Sequence, residues 1–345
     1  MHARPLFWTM LLSTTVVSAV VFAQEVSIEI PEKNIGEISL RDKGPVTFLF
    51  VGDIMLGRRV ETMIKELGAD YPFEGVAPIL DASDLTIGNF EGVVNERHVH
   101  TPDLTFRFSV RKEYLEKLSE LGFDVLSLAN NHSFDYGADA FRFMRGTCTL
   151  QRLVCGGIPY SLDEDSLLVR KVGDHDIGFI FLSTVDGEVK SPTLKLFVDA
   201  LKAESDFQIA YVHWGDEYKL THNRSQERIA KKLIDYGVDL VVGHHPHVVQ
   251  DAELYRDRLI FYSLGNFIFD QYFSSDVEEG LAVNLKLEGT SAHYSLVALS
   301  SEGSRSQPHP MSEEDAERLF ARILRPLPDE ILIDKEKGRI ILPLE

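Results

Sequence analysis

Six short apolar runs in this chain each end in polar side chains of the kinds that bind metal ions or transfer protons. Short runs rich in β-branched residues and bounded by Gly are typical of buried strands. In α/β proteins, ligands bind beyond the carboxyl ends of such strands. One such ending is ordinary, but six predict a single site assembled from most of the chain. The runs span residues 46–51, 85–87, 125–128, 208–212, 240–242 and 259–262, and their polar endings are Gly52-Asp53, Asn89-Phe90-Glu91, Asn130-Asn131-His132, His213-Trp214-Gly215, His244-His245-Pro246-His247 and Gly265-Asn266-Phe267.

Helical periodicity occupies several of the gaps between these strands. Apolar residues recur at helical spacing over residues 58–67, 113–121 and 226–236. Alternating strands and helices predict an α/β fold with crossover connections. Residues 258–268 and 281–287 are strand-like with no predicted helix between them, which favours a mixed or second sheet.

The chain divides by composition into four segments. Residues 1–23 are apolar and end in small residues, which is typical of a cleaved secretory signal peptide, with an uncleaved membrane anchor as the alternative. Residues 24–45 are a polar leader, residues 46–300 the principal domain, and residues 301–345 an appendage predicted to hold a helix and a hairpin. We therefore expect an exported protein that is periplasmic, or otherwise extracytoplasmic, and associated with the envelope.

The chain is strongly acidic. Its formal net charge is −19, and loss of residues 1–23 removes Arg4 and no acid, which gives −19 − 1 = −20. Such acidity argues against nonspecific binding to nucleic acid and against docking to an anionic membrane. An anionic substrate would therefore require a local basic patch. The candidates for that patch are Arg58, Arg59, Arg97, His98, His100, Arg107, Arg111 and Lys112.

The chain contains two cysteines, Cys148 and Cys155. An exported protein can pair them, but cysteine is also among the residues most often buried without a partner. The pattern places Cys148 in a helix and Cys155 at the next strand, and we expect two separate thiols.

The first two polar endings offer carboxylates. Asp53 follows a strand and precedes a helix, so it could cap that helix or bind a metal ion. Asn89 and Glu91 are two residues apart in extended chain, so their side chains are expected on one face. Either of them could reach a cation.

The segment Asn130-Asn131-His132 places two carboxamides and an imidazole after a buried strand, where they are costly unless satisfied. An amide oxygen is a hard ligand, and imidazole suits Zn, Mn or Fe. We therefore predict Asn131 as a metal ligand and His132 as a metal or acid–base residue. The alternative is a hydrogen-bonded turn in which Asp135 is the partner.

Later in the chain, imidazoles accumulate. His245 and His247 straddle Pro246, so a stiff extended backbone could aim both at one point. We predict that these two residues join His213 in a metal or acid–base site. Residues that follow His213 could line the pocket, with Glu217 as a base or as an acceptor for an imidazole N–H; they are Trp214, Glu217 and Tyr218.

The combined donor set contains nitrogen and oxygen but no thiolate. Such a set favours one or two ions of Mn, Fe, Zn or Mg over copper. A two-ion site would hold its ions about 3.5–4 Å apart and activate water for in-line attack.

These motifs, in this order, resemble those of the CapA family of bacterial capsule synthesis proteins, also called poly-γ-glutamate synthesis proteins. The family is similar in turn to the calcineurin-like metallophosphoesterases. The resemblance implies a metallophosphatase-like layered sandwich with two mixed β-sheets flanked by helices. The matching motifs are residues 51–58, 88–92, 128–132 with 135–137, 213–218, 243–250 and 262–270.

The resemblance also implies roles for individual residues. Asp53 matches the first metal-binding Asp of the metallophosphoesterases, whereas Met55 stands where their pattern has a His. At most one tightly bound ion would follow, because a thioether is a poor ligand for hard ions. The full predicted set is Asp53, Asn89, Glu91, Asn131, His213, His245 and His247 for metal, His132, Asp135 and Glu217 for catalysis, and Arg58, Arg107, Trp214, Tyr218 and Asn266 for substrate.

The function implied is biosynthesis of a capsule or poly-γ-glutamate-type anionic polymer by an exported protein, in its enzymatic form a metal-dependent hydrolase. The expected partners are an anionic polymer or phosphorylated substrate and membrane-bound polymer synthase subunits, with no nucleic acid. The alternative from another class is a non-catalytic polymer-binding or assembly subunit. A third possibility is a secreted metal-dependent phosphoesterase.

Overall fold

The computed structural model describes residues 45–344 with the exception of residues 104, 186 and 188. The predicted signal peptide, and all but the last residue of the predicted leader, lie outside the described residues. Within the described part of the chain, no helix has the length and apolar character needed to cross a membrane.

The described residues form strands and helices in alternation over much of the chain. The strands are β1 (Val46–Ile54), β2 (Leu85–Phe90), β3 (Val93–Val94), β4 (Ser109–Val110), β5 (Val125–Ser127), β6 (Val154–Gly156), β7 (Leu167–Val172), β8 (His175–Ser183), β9 (Phe207–His213), β10 (Leu240–His244), β11 (Ala252–Tyr255), β12 (Arg258–Phe261), β13 (Asn266–Ile268), β14 (Glu279–Glu288), β15 (Ser291–Ser300), β16 (His309–Pro310), β17 (Leu332–Asp334) and β18 (Arg339–Pro343). The helices are α1 (Arg58–Leu67), α2 (Ala77–Leu80), α3 (Lys112–Glu120), α4 (Gly137–Leu150), α5 (Ser191–Ala203), α6 (Arg224–Tyr236), α7 (Ser275–Glu278) and α8 (Glu313–Ile323), with 3₁₀ turns at Tyr71–Phe73, Glu164–Ser166 and Asp329–Ile331.

Two mixed sheets organise the fold. The larger has the order β17-β18-β15-β14-β1-β2-β5-β6, with β13 beside β1 and β16 beside β15. Its strands β1, β2, β5 and β6 are parallel, and β14, β15, β18 and β17 extend it by antiparallel pairing. The second sheet, β11-β12-β10-β9-β8-β7, is parallel except at its two edges. The predicted α/β fold with two mixed β-sheets is confirmed.

Alternation along β1 explains how the layers pack. Phe48 and Phe50 lie in the core between the two sheets, whereas Leu49 and Val51 lie in the core under α1, α3 and α4. Successive side chains of a strand point to opposite faces, so one fully apolar strand serves two cores. Helices α5 and α6 cover the outer face of the second sheet in the same way. The helices therefore flank both sheets, as predicted.

The C-terminal segment is built into the larger sheet. Helix α8, predicted for this segment, begins after Ser312, whose hydroxyl caps it by accepting a hydrogen bond from the Asp315 N–H. Phe320 of α8 and Ile340 of β18 are buried in the core between the sheets, and β18 pairs with β15. Residues 301–344 are therefore integrated with the rest of the domain instead of standing apart as an appendage.

The predicted helices at 58–67, 113–121 and 226–236 correspond to α1, α3 and α6. Helices α2, α5 and α7 were not predicted; of these, α7 is a single turn between β13 and β14. A one-turn helix is too short to give a periodic pattern, so the sequence contained no signal for it.

Cys148 and Cys155 form a disulfide, so the prediction of two separate thiols is wrong. Cys148 lies in the last turn of α4 and Cys155 in β6, as predicted. The chain reverses between them, and the Leu153 N–H donates to the Cys148 carbonyl at 3.0 Å. This reversal brings the two Cα atoms to 6.1 Å, within the range of a disulfide.

Candidate metal centre

The site lies where the carboxyl ends of the two sheets meet. Asp53 is the last residue but one of β1 in the larger sheet, and His213 ends β9 of the second. Nε2 of His213 donates to Oδ1 of Asn131 at 2.9 Å, and Nδ2 of Asn89 lies 3.2 Å from Nδ1 of His213. The predicted polar endings therefore converge on one place, as parallel strands of two facing sheets require.

Two glycines allow the strands to approach each other at this point. A Cβ on Gly52 would lie 2.0 Å from the carbonyl oxygen of Gly265, and a Cβ on Gly243 would lie 2.1 Å from that of Tyr262. Each glycine directly precedes a site residue, Asp53 or His244. Any side chain at either glycine would push apart the backbones that position the site.

Asp53 is fully buried and held on several sides. Its Oδ1 accepts from Asn89 Nδ2 at 2.8 Å, and its Oδ2 accepts from the His245 backbone N–H at 3.3 Å and lies 3.1 Å from Nδ1 of His247. Burial, the largest influence, raises the pKa of Asp53, but His247, His244 and Asn89 together outweigh it and leave the pKa lowered. Asp53 is therefore a carboxylate that stays ionised in a buried place.

Glu91 has the opposite character. Burial, followed by repulsion from Asp53, raises its pKa well above the ordinary value. Its Oε1 accepts from Asn89 Nδ2 at 3.3 Å, but its buried Oε2 has no hydrogen-bond partner among the described residues. Nε2 of His132 and Nε2 of His247 each lie 4.0 Å from this oxygen. A buried carboxylate oxygen without a partner is costly, and a cation bound here would remove that cost.

Asn89 positions the carboxylates instead of offering a ligand. Its amide nitrogen faces Asp53, Glu91 and His213, while its carbonyl oxygen accepts from Asn130 Nδ2 at 3.2 Å. The oxygen is the only Asn89 atom that could bind a cation, so the geometry favours Glu91 as the ligand from this pair. The strand face shared by the two residues is as predicted.

His132 and Asp135 form a hydrogen-bonded pair. Nδ1 of His132 donates to Oδ2 of Asp135 at 3.0 Å, and this oxygen also accepts from the Phe108 N–H at 2.7 Å. The His132 ring stacks on the Phe108 ring at 3.9 Å. These contacts turn Nε2 of His132 towards Glu91. The arrangement includes the turn interaction considered above, and it leaves Nε2 of His132 3.2 Å from the side-chain amide nitrogen of Asn131.

His245 and His247 adopt left-handed backbone conformations, with φ of 96° and 57°. The prediction of a stiff extended segment is therefore wrong. Strain of this kind costs of order 1–3 kcal/mol per residue and is concentrated at functional sites. It directs both rings towards Asp53 and Glu217, and Oδ1 of Asn266 accepts from Nδ1 of His247 at 3.0 Å.

Asn266, predicted to bind substrate, is fully engaged with protein groups. Its amide nitrogen donates to Gln271 Oε1 at 3.1 Å and to the Val277 carbonyl at 2.9 Å. Since its oxygen holds His247, the structure gives this residue a positioning contact and no free donor. The hydrogen bond from His247 Nδ1 leaves Nε2 of that ring to face Glu91.

Two groups of residues have the composition and spacing to hold a cation. One consists of Asp53, Glu91 and His213, all buried, and the other of Glu217, His245 and His247. In each group the candidate ligand atoms lie within 4.8 Å of one another. Burial, together with the neighbouring imidazoles, lowers the pKa of His213 well below its ordinary value, so its ring is neutral, as metal binding requires.

Two residues of the site have no role in the predicted set. His244 ends β10 with its ring stacked 4.1 Å from that of Tyr211 and Nδ1 3.6 Å from Oδ1 of Asp53, and neither ring nitrogen has a hydrogen-bond partner among the described residues. Asn130 joins the ends of β2 and β5, because its amide nitrogen donates to Asn89 and to the Phe90 carbonyl. His244 and Asn130 both lie within the polar endings described in the sequence analysis. Along β10, period-2 alternation places His244 on the same side as Val242.

The prediction that Trp214 lines the pocket is wrong. It is fully buried under α5 and α6, and its Nε1 donates to the Tyr262 carbonyl at 2.8 Å. Along β9, residues 209 and 211 face the inner core, and 210 and 212 face the outer core. Continued alternation sends His213 to the site and Trp214 away from it.

Glu217 and Tyr218 lie at the exposed rim. Tyr218 is 41% exposed, and its ring centroid lies 6.2 Å from that of His247. Burial and then the neighbouring Glu217 raise the pKa of the Tyr218 hydroxyl, which accepts from Gln271 Nε2 at 3.1 Å. Both residues therefore border the site, and their predicted roles in catalysis and substrate binding stay predictions.

Met55 offers nothing to the site. Its side chain is buried in the apolar cluster beneath α1, and its sulfur accepts from the Gly57 N–H at 3.1 Å. The position that supplies a His in the metallophosphoesterase pattern is therefore part of the core here.

The two predicted substrate-binding arginines are both engaged. Arg58 is 7% exposed, pairs with Asp270 and donates to the Thr105 carbonyl at 3.2 Å. Arg107 donates from Nε to the Asp135 carbonyl at 2.9 Å, and its guanidinium lies 4.5 Å from the centre of the Tyr136 ring. Each borders the site, but each is held by protein groups.

Three further members of the predicted basic patch surround a buried carboxylate. His98, His100 and Arg111 surround the buried carboxylate of Glu61 at 3.1, 2.8 and 2.7 Å, together with Lys65 at 2.8 Å. Burial, the largest influence, raises the pKa of Glu61, but the hydrogen bonds from Lys65, His100 and Arg111 outweigh it and lower the pKa to about 2. The patch is in this respect an internal ion-pair cluster.

The chain is similar to known proteins over the region that contains these motifs. Residues 47–271 match the family described as "Bacterial capsule synthesis protein PGA_cap". The chain is 35% identical over 258 residues to the PGA biosynthesis protein CapA of Bacillus subtilis (strain 168), covering 70% of this chain and 68% of that protein. It is 31% identical over 340 residues to the capsule biosynthesis protein CapA of Bacillus anthracis, covering 90% and 80%.

Among solved structures, one similar chain is described as a novel phosphatase from Mycoplasma pneumoniae. The match covers 76% of this chain and 90% of that chain, with 17% identity and a TM-score of 0.45. A similarity at this level carries no argument about function.

Proposed function

The chain belongs to the bacterial capsule synthesis protein family PGA_cap, and from this premise we propose that it acts in the biosynthesis of a capsule-type anionic polymer such as poly-γ-glutamate. We propose that it does so outside the cytoplasm, as a metal-dependent hydrolase. Its partners would be the polymer or a phosphorylated substrate, together with membrane-bound polymer synthase subunits.

One observation carries the enzymatic proposal. Oε2 of Glu91 is buried and lacks a hydrogen-bond partner within the described part of the chain, and it faces Nε2 of His132, whose other ring nitrogen donates to Asp135. A purely structural site would be expected to satisfy such an atom. An unsatisfied carboxylate beside an oriented imidazole is the arrangement of a site that awaits a cation and a substrate.

The residues fit a divalent ion. Asp53, Glu91 and His213 would hold it through two carboxylates and one neutral imidazole, a set that suits Mn, Mg, Zn or Fe. When bound, such an ion polarises the scissile group and lowers the pKa of a water molecule. His132, when protonated at both ring nitrogens, would give the proton on Nε2 to the leaving group, while Asp135 accepts from Nδ1 and fixes the orientation of the ring.

Export is supported by the disulfide, because such bonds persist in oxidising compartments and are rare in the cytosol. The apolar character of residues 1–23 supports the same proposal. An uncleaved anchor would place the same domain at the membrane surface, beside the synthase subunits.

A second candidate function is that of a polymer-binding or assembly subunit without turnover. Met55 favours it, because this position supplies no ligand, and so does the engagement of Arg58 and Arg107 with protein groups. The two candidates differ in whether His132 Nε2 ever transfers a proton.

The test uses purified protein stripped of metal and reloaded with Mn²⁺ or Zn²⁺. Chain length of poly-γ-glutamate and hydrolysis of bis(p-nitrophenyl) phosphate are followed for wild type, for His132→Ala, and for His293→Ala on β15 as control. We expect metal-dependent turnover, reduced about 100-fold or more by His132→Ala and unchanged by His293→Ala.

Each other outcome has a distinct meaning. Cleavage of the phosphodiester without any effect on the polymer would favour a secreted phosphoesterase. Polymer binding that is equal in wild type and His132→Ala, with no turnover of either substrate, would establish the assembly-subunit alternative.

A further inference from the structure

We propose that Glu217 is the third ligand of a second, solvent-facing cation position that it forms with His245 and His247. The inference rests on the proposed function for the buried position next to it, formed by Asp53, Glu91 and His213. This second position needs no ligand from residue 55. It therefore allows a two-ion site even though Met55 stands where the metallophosphoesterase pattern has a His.

The three ligand atoms are already close. Those of Glu217, His245 and His247 lie within 4.8 Å of one another, and both imidazoles are at least nine-tenths buried. Nδ1 of His245 is buried with no hydrogen-bond partner among the described residues. The unpaired nitrogen points to a missing ligand, because buried polar atoms in native proteins are otherwise satisfied.

The His247 ring is oriented for the same purpose. Its Nδ1 donates to Oδ1 of Asn266 at 3.0 Å and lies 3.1 Å from Oδ2 of Asp53, so Nε2 keeps its lone pair. A ligating histidine usually donates its other N–H to an oxygen acceptor in this way. Nε2 of His247 lies 4.0 Å from Oε2 of Glu91, so the two positions adjoin.

Although Glu217 is exposed, the loop that carries it is fixed. The Tyr218 N–H donates to the Pro246 carbonyl at 2.8 Å, which ties the loop directly to the His245–His247 segment. From behind, the buried Gln250 donates from Nε2 to the carbonyls of Lys219 at 2.8 Å and Thr221 at 3.2 Å.

Both ends of the loop are held as well. At the start, Gly215 has a φ of 89°, and the Gln226 side chain packs where its Cβ would be. At the end, Nδ2 of Asn223 donates to Oδ2 of Asp216 at 2.7 Å. An acidic surface residue without a binding role does not require its loop to be fixed by these contacts. A metal ligand, in contrast, must be held close to its binding geometry.

The two positions differ in chemistry. The buried one offers two carboxylates and one imidazole, and the outer one offers one carboxylate and two imidazoles. Oxygen-rich sets favour Mn and Mg, while imidazole-rich sets favour Zn and Fe. We therefore expect the outer position to prefer Zn²⁺ and to exchange with solvent more readily, because Glu217 is exposed.

The outer position also explains how an acidic protein can accept an anionic substrate. The neighbouring arginines are held by protein groups, and the rim carries Asp216 and Glu217. A cation at the rim would present positive charge to a phosphate or carboxylate oxygen arriving from solvent.

The experiment counts ions. Metal-stripped full-length protein is titrated with Zn²⁺ or Mn²⁺ alone by calorimetry, and bound metal is measured by elemental analysis after dialysis. The variants are Glu217→Gln and, as a matched control, Glu66→Gln on the exposed face of α1. We expect two ions in wild type and in Glu66→Gln, and a second Zn²⁺ bound at least about tenfold more weakly in Glu217→Gln.

Unchanged melting of the metal-free variants shows that both fold. Two equally tight ions in Glu217→Gln would overturn the assignment of Glu217, as would a single ion in wild type that is unaffected by the substitution. The latter result would leave the buried position and the proposed hydrolase intact. Binding of no ion by wild type would overturn both proposals.

Discussion

Nε2 of His213, at the end of β9, donates a 2.9 Å hydrogen bond to Oδ1 of Asn131, which follows β5 in the other sheet. The two sheets thus meet through residues of the candidate metal centre. The centre is consequently part of what holds the sheets in register, and substitutions in it should affect stability even without metal.

His213→Ala should lower the free energy of unfolding of the metal-free protein by about 2–4 kcal/mol, because it leaves a cavity and an unpaired Asn131 oxygen in a buried place. Urea denaturation in the presence of EDTA measures this. His293→Ala on β15 should change stability by about 0.5 kcal/mol or less. Equal stability of wild type and His213→Ala would contradict the structural role of this hydrogen bond.

A divalent ion should stabilise the protein through Asp53. At about 100 times its dissociation constant, an ion that binds only the folded state adds about 2.7 kcal/mol. We expect Mn²⁺ to raise the melting temperature of wild type and of the exposed control Asp81→Asn by clearly more than that of Asp53→Asn. A similar rise in all three proteins would mean that the ion binds elsewhere.

Stability should also depend on pH through the buried carboxyl of Asp124. Burial raises the pKa of Asp124 to about 6 from an ordinary value of 3.8. Between these values the folded protein holds a proton that the unfolded chain releases, so the free energy of unfolding should fall as pH rises from about 4 to about 6.

The fall should total about 2–3 kcal/mol and level off above that range. Asp124→Asn keeps an oxygen to accept from the Thr86 N–H, which now bonds Oδ2 at 2.8 Å. In this variant the decline should shrink by that amount. Denaturation curves from pH 4 to 7 provide the measurement, and parallel profiles for the two proteins would refute the assignment.

The proposed export predicts where the mature chain begins and that its two cysteines are oxidised. Protein isolated from its own host should begin after Ala23, and the thiols of Cys148 and Cys155 should resist alkylation until a reductant is added. Amino-terminal sequencing and mass spectrometry check both points. An intact amino terminus in the membrane fraction would indicate the anchor, and a cytosolic protein with free thiols would contradict export.

Much of the architecture followed from local patterns. Period-2 and period-3.6 repeats of apolar residues decide whether a segment is a strand or a helix, since each pattern buries one face only in its own conformation. For this reason α1 and the strands β1, β2 and β9, whose carboxyl ends lie at or next to Asp53, Glu91 and His213, were predicted correctly. Convergence of these ends on one site followed from the parallel strands alone.

What only the tertiary structure decided was the direction and partner of each side chain at the strand ends. The left-handed φ of His245 and His247, the disulfide between Cys148 and Cys155, and the engagement of Asn266 with His247 all depend on chain reversals and on contacts between distant segments. Such contacts are non-local, and a pattern of neighbouring residues carries no record of them. The sequence by itself therefore determined the elements, the family and the place of the site, while the packing of one sheet on the other determined which atoms remain free to bind a cation.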